Sequence, residues 1–562
     1  MIVLLAIAIP VLSLWSMQIA RSGWCNDEAA HIPSGLYHLA TGRMDAYHVN
    51  PPLPRMIAAL PLLIDRPMIK WHHSDSPYVR LEYQLAEEWV NENQSSLRRQ
   101  LILARSTTIF FFGLGIWSIV RWTYRIYGYS SAILAGVLWS LNPDVLTYAS
   151  VVGPDLPASS TGLLVGYRYW NWLTKDDRPF PWDVAIAVGL AILCKLSWLF
   201  LLPLLPLVTV MSDIQQHRHQ RVRDGFRLAV SFSLTLLMIN WCYGFEGTGK
   251  QLGDFRFISG SLAGQHLDSP ACSNRFAGTG LGYIPVPLPR EMVRGIDFLK
   301  WEFERGYRSY VNGEWSSRGR WWFYLYAIGV KMPLGYWIII AAGLLSTLMR
   351  PSGQTPFYSM AWVPLFLGVL YFVLISSQTG FTHHVRYVLP CYGFLFISAS
   401  RLAAQWTLIR TASFASICLA GTVWFHTTLG GLSHTFFNPV AGGPENGWRH
   451  LSFSNVDWGQ STYRMAHWVK EHPQFRPLSV EFAFVPGSPA LLISDQEDVV
   501  VDPQFIDASS TDGYWRLISS ERMTQLENRE IWNLEPEDQP FPDFRLYRIN
   551  VNQSAGSIHG TE

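Results

Sequence analysis

The feature that most constrains this chain is its series of long apolar runs. A helix needs roughly 17 to 25 residues to cross a bilayer, and runs that long begin near Ile2, Leu101, Ser130, Leu156, Leu228, Trp322, Tyr358, Val385 and Thr411. A further run, 183–211, is almost wholly apolar but holds Lys195 at its middle, and its length suits two short segments meeting at that lysine. The sequence therefore predicts eleven crossings. The first run has no basic residue ahead of it and no small-x-small site before Arg21, so it reads as an uncleaved span and not as a signal peptide. Composition agrees, because only 15% of residues are charged, against about a quarter in soluble proteins.

Charge in the connections sets the orientation. With the N-terminus inside, the inner connections are 121–129, 173–182, 213–227, 350–356 and 401–410, all short and each carrying Lys or Arg. This is the positive-inside pattern. It leaves three large pieces outside: 21–100, 244–320 and 429–562. The expected fold is thus a polytopic α-helical membrane domain, 1–428, followed by a small extracytoplasmic α/β domain, 429–562. In the latter, 462–470 reads as an amphipathic helix, 478–484, 499–502 and 544–549 read as strands, and 551–562 should fray. The formal net charge of +1 leaves no basic stripe for a nucleic acid. The six cysteines show no metal or redox spacing; only Cys25 and Cys272 fall in long polar loops, where a bridge and two thiols are both open.

The densest polar constellation follows the first run: Asp27-Glu28-Ala29-Ala30-His31. On a helix, Asp27 and His31 share a face at i,i+4 and Glu28 meets His31 at i,i+3. Such carboxylates suit a divalent metal or a general base, while the structural alternative makes Asp27 a helix cap. Next come His48-Val49-Asn50-Pro51-Pro52-Leu53-Pro54-Arg55 and an apolar stretch too short to span, which reads as an interfacial helix.

A first span, then DE-x-x-H, then a PPL turn with an amphipathic helix resembles the lipid-carrier-dependent glycosyltransferases of the protein O-mannosyltransferase and aminoarabinose transferase superfamily, which have the GT-C fold. The resemblance assigns the catalytic acid to Asp27, with Glu28 beside it. Relatives often carry an acidic residue or histidine just before the prolines; here Val49-Asn50 stand there, leaving His48 as the substitute. Asp155, in Gly153-Pro154-Asp155-Leu156-Pro157, is similar to the family's second outer aspartate. Asp27, His31, His48 and Asp155 are therefore the candidates for holding a divalent metal (Mg, Mn or Zn) or the sugar.

Cys194-Lys195-Leu196-Ser197 and Lys331-Met332-Pro333-Leu334 resemble the family's lysine segments. An ammonium in apolar surroundings costs at least a few kcal/mol, so each lysine needs a partner. A lipid phosphate is apt; an ion pair with Asp144 or Asp155, or snorkelling, is the structural alternative. Arg386, in Thr382-His383-His384-Val385-Arg386-Tyr387-Val388-Leu389-Pro390, resembles the family's arginine segment, and its planar fork suits phosphate. Adjacent His383 and His384 cannot both face one ion. They should line the outer mouth. Gly442-Gly443-Pro444-Glu445-Asn446-Gly447-Trp448 and Ser454-Asn455-Val456-Asp457-Trp458-Gly459-Gln460 resemble a bacterial branch of the superfamily. Asp457 has a structural alternative as a buried turn carboxylate.

What the resemblance implies is transfer of a sugar from a polyprenyl phosphate, with inversion, to a protein, lipid or glycan acceptor. The site would face the periplasm from a bacterial inner membrane. Lys195, Lys331 and Arg386 would bind the donor phosphate. A transporter or flippase shares the spans, lysines and outer carboxylates, although the halves show no internal repeat of the kind such proteins carry. A non-catalytic family member is the third class.

Overall fold

A computed structural model describes residues 2–72, 79–215, 221–264, 272–348, 360–428, 431–483, 485–487, 489–501 and 513–549. The expected inner connection 350–356, the start of the run near Tyr358 and the end 551–562 lie outside the described residues.

By length and composition, four described helices can cross a bilayer alone: Leu97–Tyr127, Leu196–Ile214, Arg223–Cys242 and Leu408–Thr428. A fifth span forms if Phe323–Lys331 and Leu334–Ser346, bent by 116° at their junction, are taken together. Three shorter apolar helices, Tyr129–Ser140, Trp182–Cys194 and Val363–Ser377, add to them. The architecture is that of a polytopic helical membrane protein, in which several apolar runs are built from broken helices.

The breaks have local causes. Lys195 is extended (φ −155°, ψ 129°) between the helix Trp182–Cys194 and the 3-10 turn Leu196–Phe200, so two segments do meet at this lysine. Met332 is also extended, as expected for a residue preceding proline, and the run beginning at Trp322 bends there. Its helical end thereby has carbonyls with no partner inside the helix.

At the N-terminus, α1 (Ile2–Arg21) turns into α2 (Asn26–Thr41) through Ser22 to Cys25. The α2 helix is buried from Glu28 to His38, and α3 (Leu53–Ala59) packs on it behind the Pro51-Pro52 turn. Gly35 permits this approach, because a Cβ there would overlap the carbonyl of Arg55. The interfacial helix expected after the prolines is thus a seven-residue helix whose inner face is buried.

Two short strands, β1 (Ser309–Val311) and β2 (Glu314–Ser316), pair antiparallel, and toward the C-terminus β3 (Leu478–Glu481), β4 (Val499–Val501), β5 (Tyr514–Ser519), β6 (Asp538–Phe541) and β7 (Phe544–Ile549) form a five-stranded sheet in the order β4-β3-β5-β7-β6. β3 runs parallel to β4 and β5; β7 runs antiparallel to β5 and β6. The helix Thr462–Glu471 lays Met465, Trp468 and Val469 into a core with Leu478, Val480, Leu517 and Leu546.

Candidate active site

The start of α2 faces two carboxylates in different directions. Glu28 is fully buried and its two oxygens grip the Arg105 guanidinium, with Nε to Oε1 at 2.8 Å and Nη2 to Oε2 at 2.6 Å. It also accepts from the backbone N–H of Val152 (3.0 Å) and of Cys25 (3.4 Å), the latter closing a capping box. Arg105 donates further to the carbonyls of Ile19, Ser22 and Gly23. A carboxylate so fully engaged has no lone pair left for a substrate. The catalytic assignment of Glu28 is therefore corrected: it ties the junction of α1 and α2 to the helix Leu97–Tyr127.

Asp27 is oriented otherwise, with 27% of its side chain exposed and Oδ2 at 2.7 Å from Arg386 Nη2. From there a chain of alternating charge extends inward. Arg386 Nε lies 3.7 Å from Asp155 Oδ2, and Lys195 Nζ donates to Asp155 Oδ1 at 2.6 Å. Trp458 lies under the guanidinium at 4.3 Å, and Lys195 is 4.9 Å from the Tyr387 ring. Four residues from distant parts of the sequence, Asp27, Asp155, Lys195 and Arg386, thus meet in one network. Arg386 is buried, yet its Nε and Nη1 find no hydrogen-bond acceptor among the described residues. Buried donors in that condition are costly unless a ligand takes them.

A second cation stands nearby that motif reading passed over. Arg55, on α3, is 1% exposed. It donates from Nε to His38 Nε2 (3.0 Å) and from Nη2 to the carbonyls of Tyr47 and Asn50 (2.7 Å each). Among the described residues no carboxylate pairs with it, and Nη1 is left over. Burial, followed by the positive charges of Arg55 and Arg386, holds the His31 imidazole well below its usual range, so His31 is neutral and lies within the field of both arginines. Its ring stacks on Tyr47 at 4.7 Å, and its Nε2 is also unpartnered. A lone arginine in the apolar stretch after the prolines was the available signal.

Other expected site residues are used elsewhere. Lys331 donates to the carbonyls of His434 (2.8 Å) and Asn455 (2.9 Å) and lies 3.8 Å from Asp144. These contacts include the ion pair with Asp144 that the sequence left open as the structural alternative to the donor phosphate, and they lie outside the Asp27 network. His48 Nδ1 sits 2.9 Å from Glu291, in the helix Arg290–Arg305. Among the described residues no three His, Cys, Asp or Glu side chains converge to hold a metal ion. Asp27 and Asp155 face cations, His31 faces Tyr47 and His48 faces Glu291, so these four do not fit a common ion. Asp457 is buried and accepts from Gly459 N (3.0 Å), and burial, then the neighbouring charge of Asp543, pushes its carboxyl well above the usual range. It closes a turn. His384 Nδ1 meets Ser454 Oγ (2.7 Å) and His383 packs on Phe381 (4.4 Å); both lie under the C-terminal segment. Cys25 is a buried free thiol, and no bridge joins it to Cys272.

No protein-family model matches the chain, and no curated protein sequence matches it. Among solved structures it is similar along its whole length to ArnT from Cupriavidus metallidurans. Against ArnT bound to undecaprenyl phosphate the identity is 13% and the TM-score 0.45, with 100% of this chain and 99% of that chain covered. Against the apo state the figures are 13% and 0.47, with the same coverage.

Proposed function

We propose that this chain is a GT-C glycosyltransferase of the lipid-carrier-dependent superfamily, moving a sugar from a polyprenyl phosphate to an acceptor at the outer face of a bacterial inner membrane. The observation that carries this reading is the condition of Arg386: buried, bound to Asp27 on one side, and left with two donors that meet no acceptor. Asp27, Asp155, Lys195 and Arg386 are balanced in formal charge, two against two. Arg55 supplies the excess positive charge that would favour an anion in the same region. Orientation, the eleven-span count and the division at 428/429 belong to this proposal, supported by the basic character of the short connections.

The chemistry follows from these residues. Arg386 and Lys195 hold the phosphate, with Asp155 fixing both cations. The acceptor hydroxyl or amine attacks the anomeric carbon from the face opposite the phosphate, its bond to that carbon forms as the carbon–oxygen bond to phosphate breaks, and configuration inverts. The acceptor's proton passes to Asp27, which is near the membrane surface and partly exposed, and then to water. The bond electrons leave with the phosphate oxygen, whose growing charge is met by the fixed cations. No step requires a metal from the residues present.

The test is purified protein in nanodiscs offered a panel of polyprenyl-phosphate sugars, with release of polyprenyl phosphate followed by mass spectrometry. Wild type should consume one donor when acceptor is added, and Asp27→Asn should not. Equal behaviour of the two proteins would remove the central residue of the proposal.

A further inference from the structure

The expected site residues leave one motif without a role, the segment Ser454 to Gln460. Its placement supplies one. The stretch that presents Arg386 is irregular: His384 is extended (φ −129°, ψ 118°) and only a single 3-10 turn, Val385–Val388, follows before the helix Leu389–Ala399. Backbone of that kind cannot satisfy its own N–H and C=O groups, and buried ones need partners from elsewhere.

Asn455 provides them. Its side-chain oxygen accepts from Val385 N at 2.8 Å, and its Nδ2 donates to the carbonyl of His383 at 2.7 Å and of Ser452 at 2.7 Å. Three residues on, Trp458 lies against the guanidinium of Arg386. One short segment thus grips the arginine twice, by the backbone on either side of His384 and by the face of its side chain. An amide is the group required, since it donates and accepts at once; a carboxylate would lose the donor and an alkyl group both.

The segment is itself fixed to the membrane helices. The carbonyls of His434 and Asn455 receive Lys331 Nζ. Asn438 donates from Nδ2 to the carbonyls of Gly329 (2.7 Å) and Met332 (3.1 Å), and its N–H goes to Val330 O (2.9 Å). These are the carbonyls that the bend at Met332-Pro333 leaves open. The C-terminal segment therefore closes a helix end with one asparagine and frames the arginine with another.

We infer that Asn455 is a positioning residue for Arg386, so that the C-terminal segment completes the anion site in addition to covering it. The inference rests on the proposed role of Arg386 as the donor-phosphate ligand. Asn455 itself need touch no substrate.

The test is a double-mutant cycle on the full chain in nanodiscs, with sugar-free polyprenyl phosphate as the probe and hydrogen exchange of the peptide around Val385 as a second readout. Asn455→Ala should raise exchange at Val385 and weaken polyprenyl-phosphate binding about tenfold, the effect of losing buried hydrogen bonds. In an Arg386→Ala background the same change should weaken binding no further, because residues acting through one group are not additive. If Asn455→Ala does not fold, Asn455→Asp, which keeps the acceptor and removes the donor, should show the same pattern at smaller size. Equal losses with and without Arg386, or faster exchange with unchanged binding, would overturn the inference. If wild type binds no polyprenyl phosphate, the functional proposal fails; unchanged exchange in Asn455→Ala would then overturn the positioning role separately.

Discussion

Removing the charge on Glu28 separates a structural from a catalytic role for the acid beside Asp27. In Glu28→Gln the Arg105 guanidinium, 1% exposed, loses its counter-charge and keeps one amide oxygen beside the carbonyls of Ile19, Ser22 and Gly23. The new amide NH2 also points donors at a donor. Breaking a buried pair by removing one partner costs about 3 to 5 kcal/mol. In a chain of this size a kcal/mol shifts an unfolding midpoint by roughly 1 °C, so Glu28→Gln should melt about 3 to 5 °C lower. The assay is the apparent melting temperature in detergent at one fixed scan rate, since unfolding of such a protein is irreversible. Arg105→Gln should fall by a similar amount, and the double variant Glu28→Gln/Arg105→Gln should recover part of the loss, since neither charge is then stranded. Residual donor turnover, measured well below the melting point, should persist in Glu28→Gln. An unshifted melting point with turnover abolished would refute this reasoning and return Glu28 to the chemistry.

Asp27→Asn should lower turnover by at least about 100-fold, the scale of losing a general base, while polyprenyl-phosphate binding persists; parallel turnover and binding assays check both parts. Lys331→Met should depress the melting temperature and leave donor KM nearly unchanged, whereas Arg55→Met should raise KM several-fold. Gly35→Ala should act like a weak Arg55 variant, because the added Cβ pushes the Arg55 backbone away from α2. Asp543 has a carboxyl raised by burial, so folding takes up protons and wild-type stability falls as pH rises from the ordinary carboxylate range toward neutrality. Asp543→Asn should therefore be more stable than wild type near pH 7, with the gain shrinking toward about pH 4; melting temperatures across that range check the sign.

Much of the membrane architecture was legible because a bilayer imposes a length on apolar segments, and Lys195 marked its own break. The four residues of the network were named in the sequence for different reasons: Asp27 by its polar constellation, Lys195 by a charge inside an apolar run, Asp155 and Arg386 by the resemblance of their segments. Their partners were not. The bond from Glu28 goes to a residue 77 positions away, and those from Lys331 reach 103 and 124 positions along the chain. Local spacing holds no record of such distances. The strand β5 escaped notice because Arg516 interrupts its apolar pattern, satisfied by Glu481 on neighbouring β3. The strand β6 carries Pro540, which the sheet accepts at its edge.

The bend at Met332-Pro333 has a consequence for how the protein is made. A chain emerges N-terminus first, so the broken helix and Lys331 enter the membrane before His434, Asn438 and Asn455 have been synthesised. For the time it takes to translate about a hundred further residues, an ammonium and a set of open carbonyls stand without their final partners, and the stretch around Arg386 lacks its frame. The centre that the geometry assembles consequently cannot mature until the segment that carries Asn455 has been made, and a nascent chain halted before this segment would hold the cations without the means to aim them.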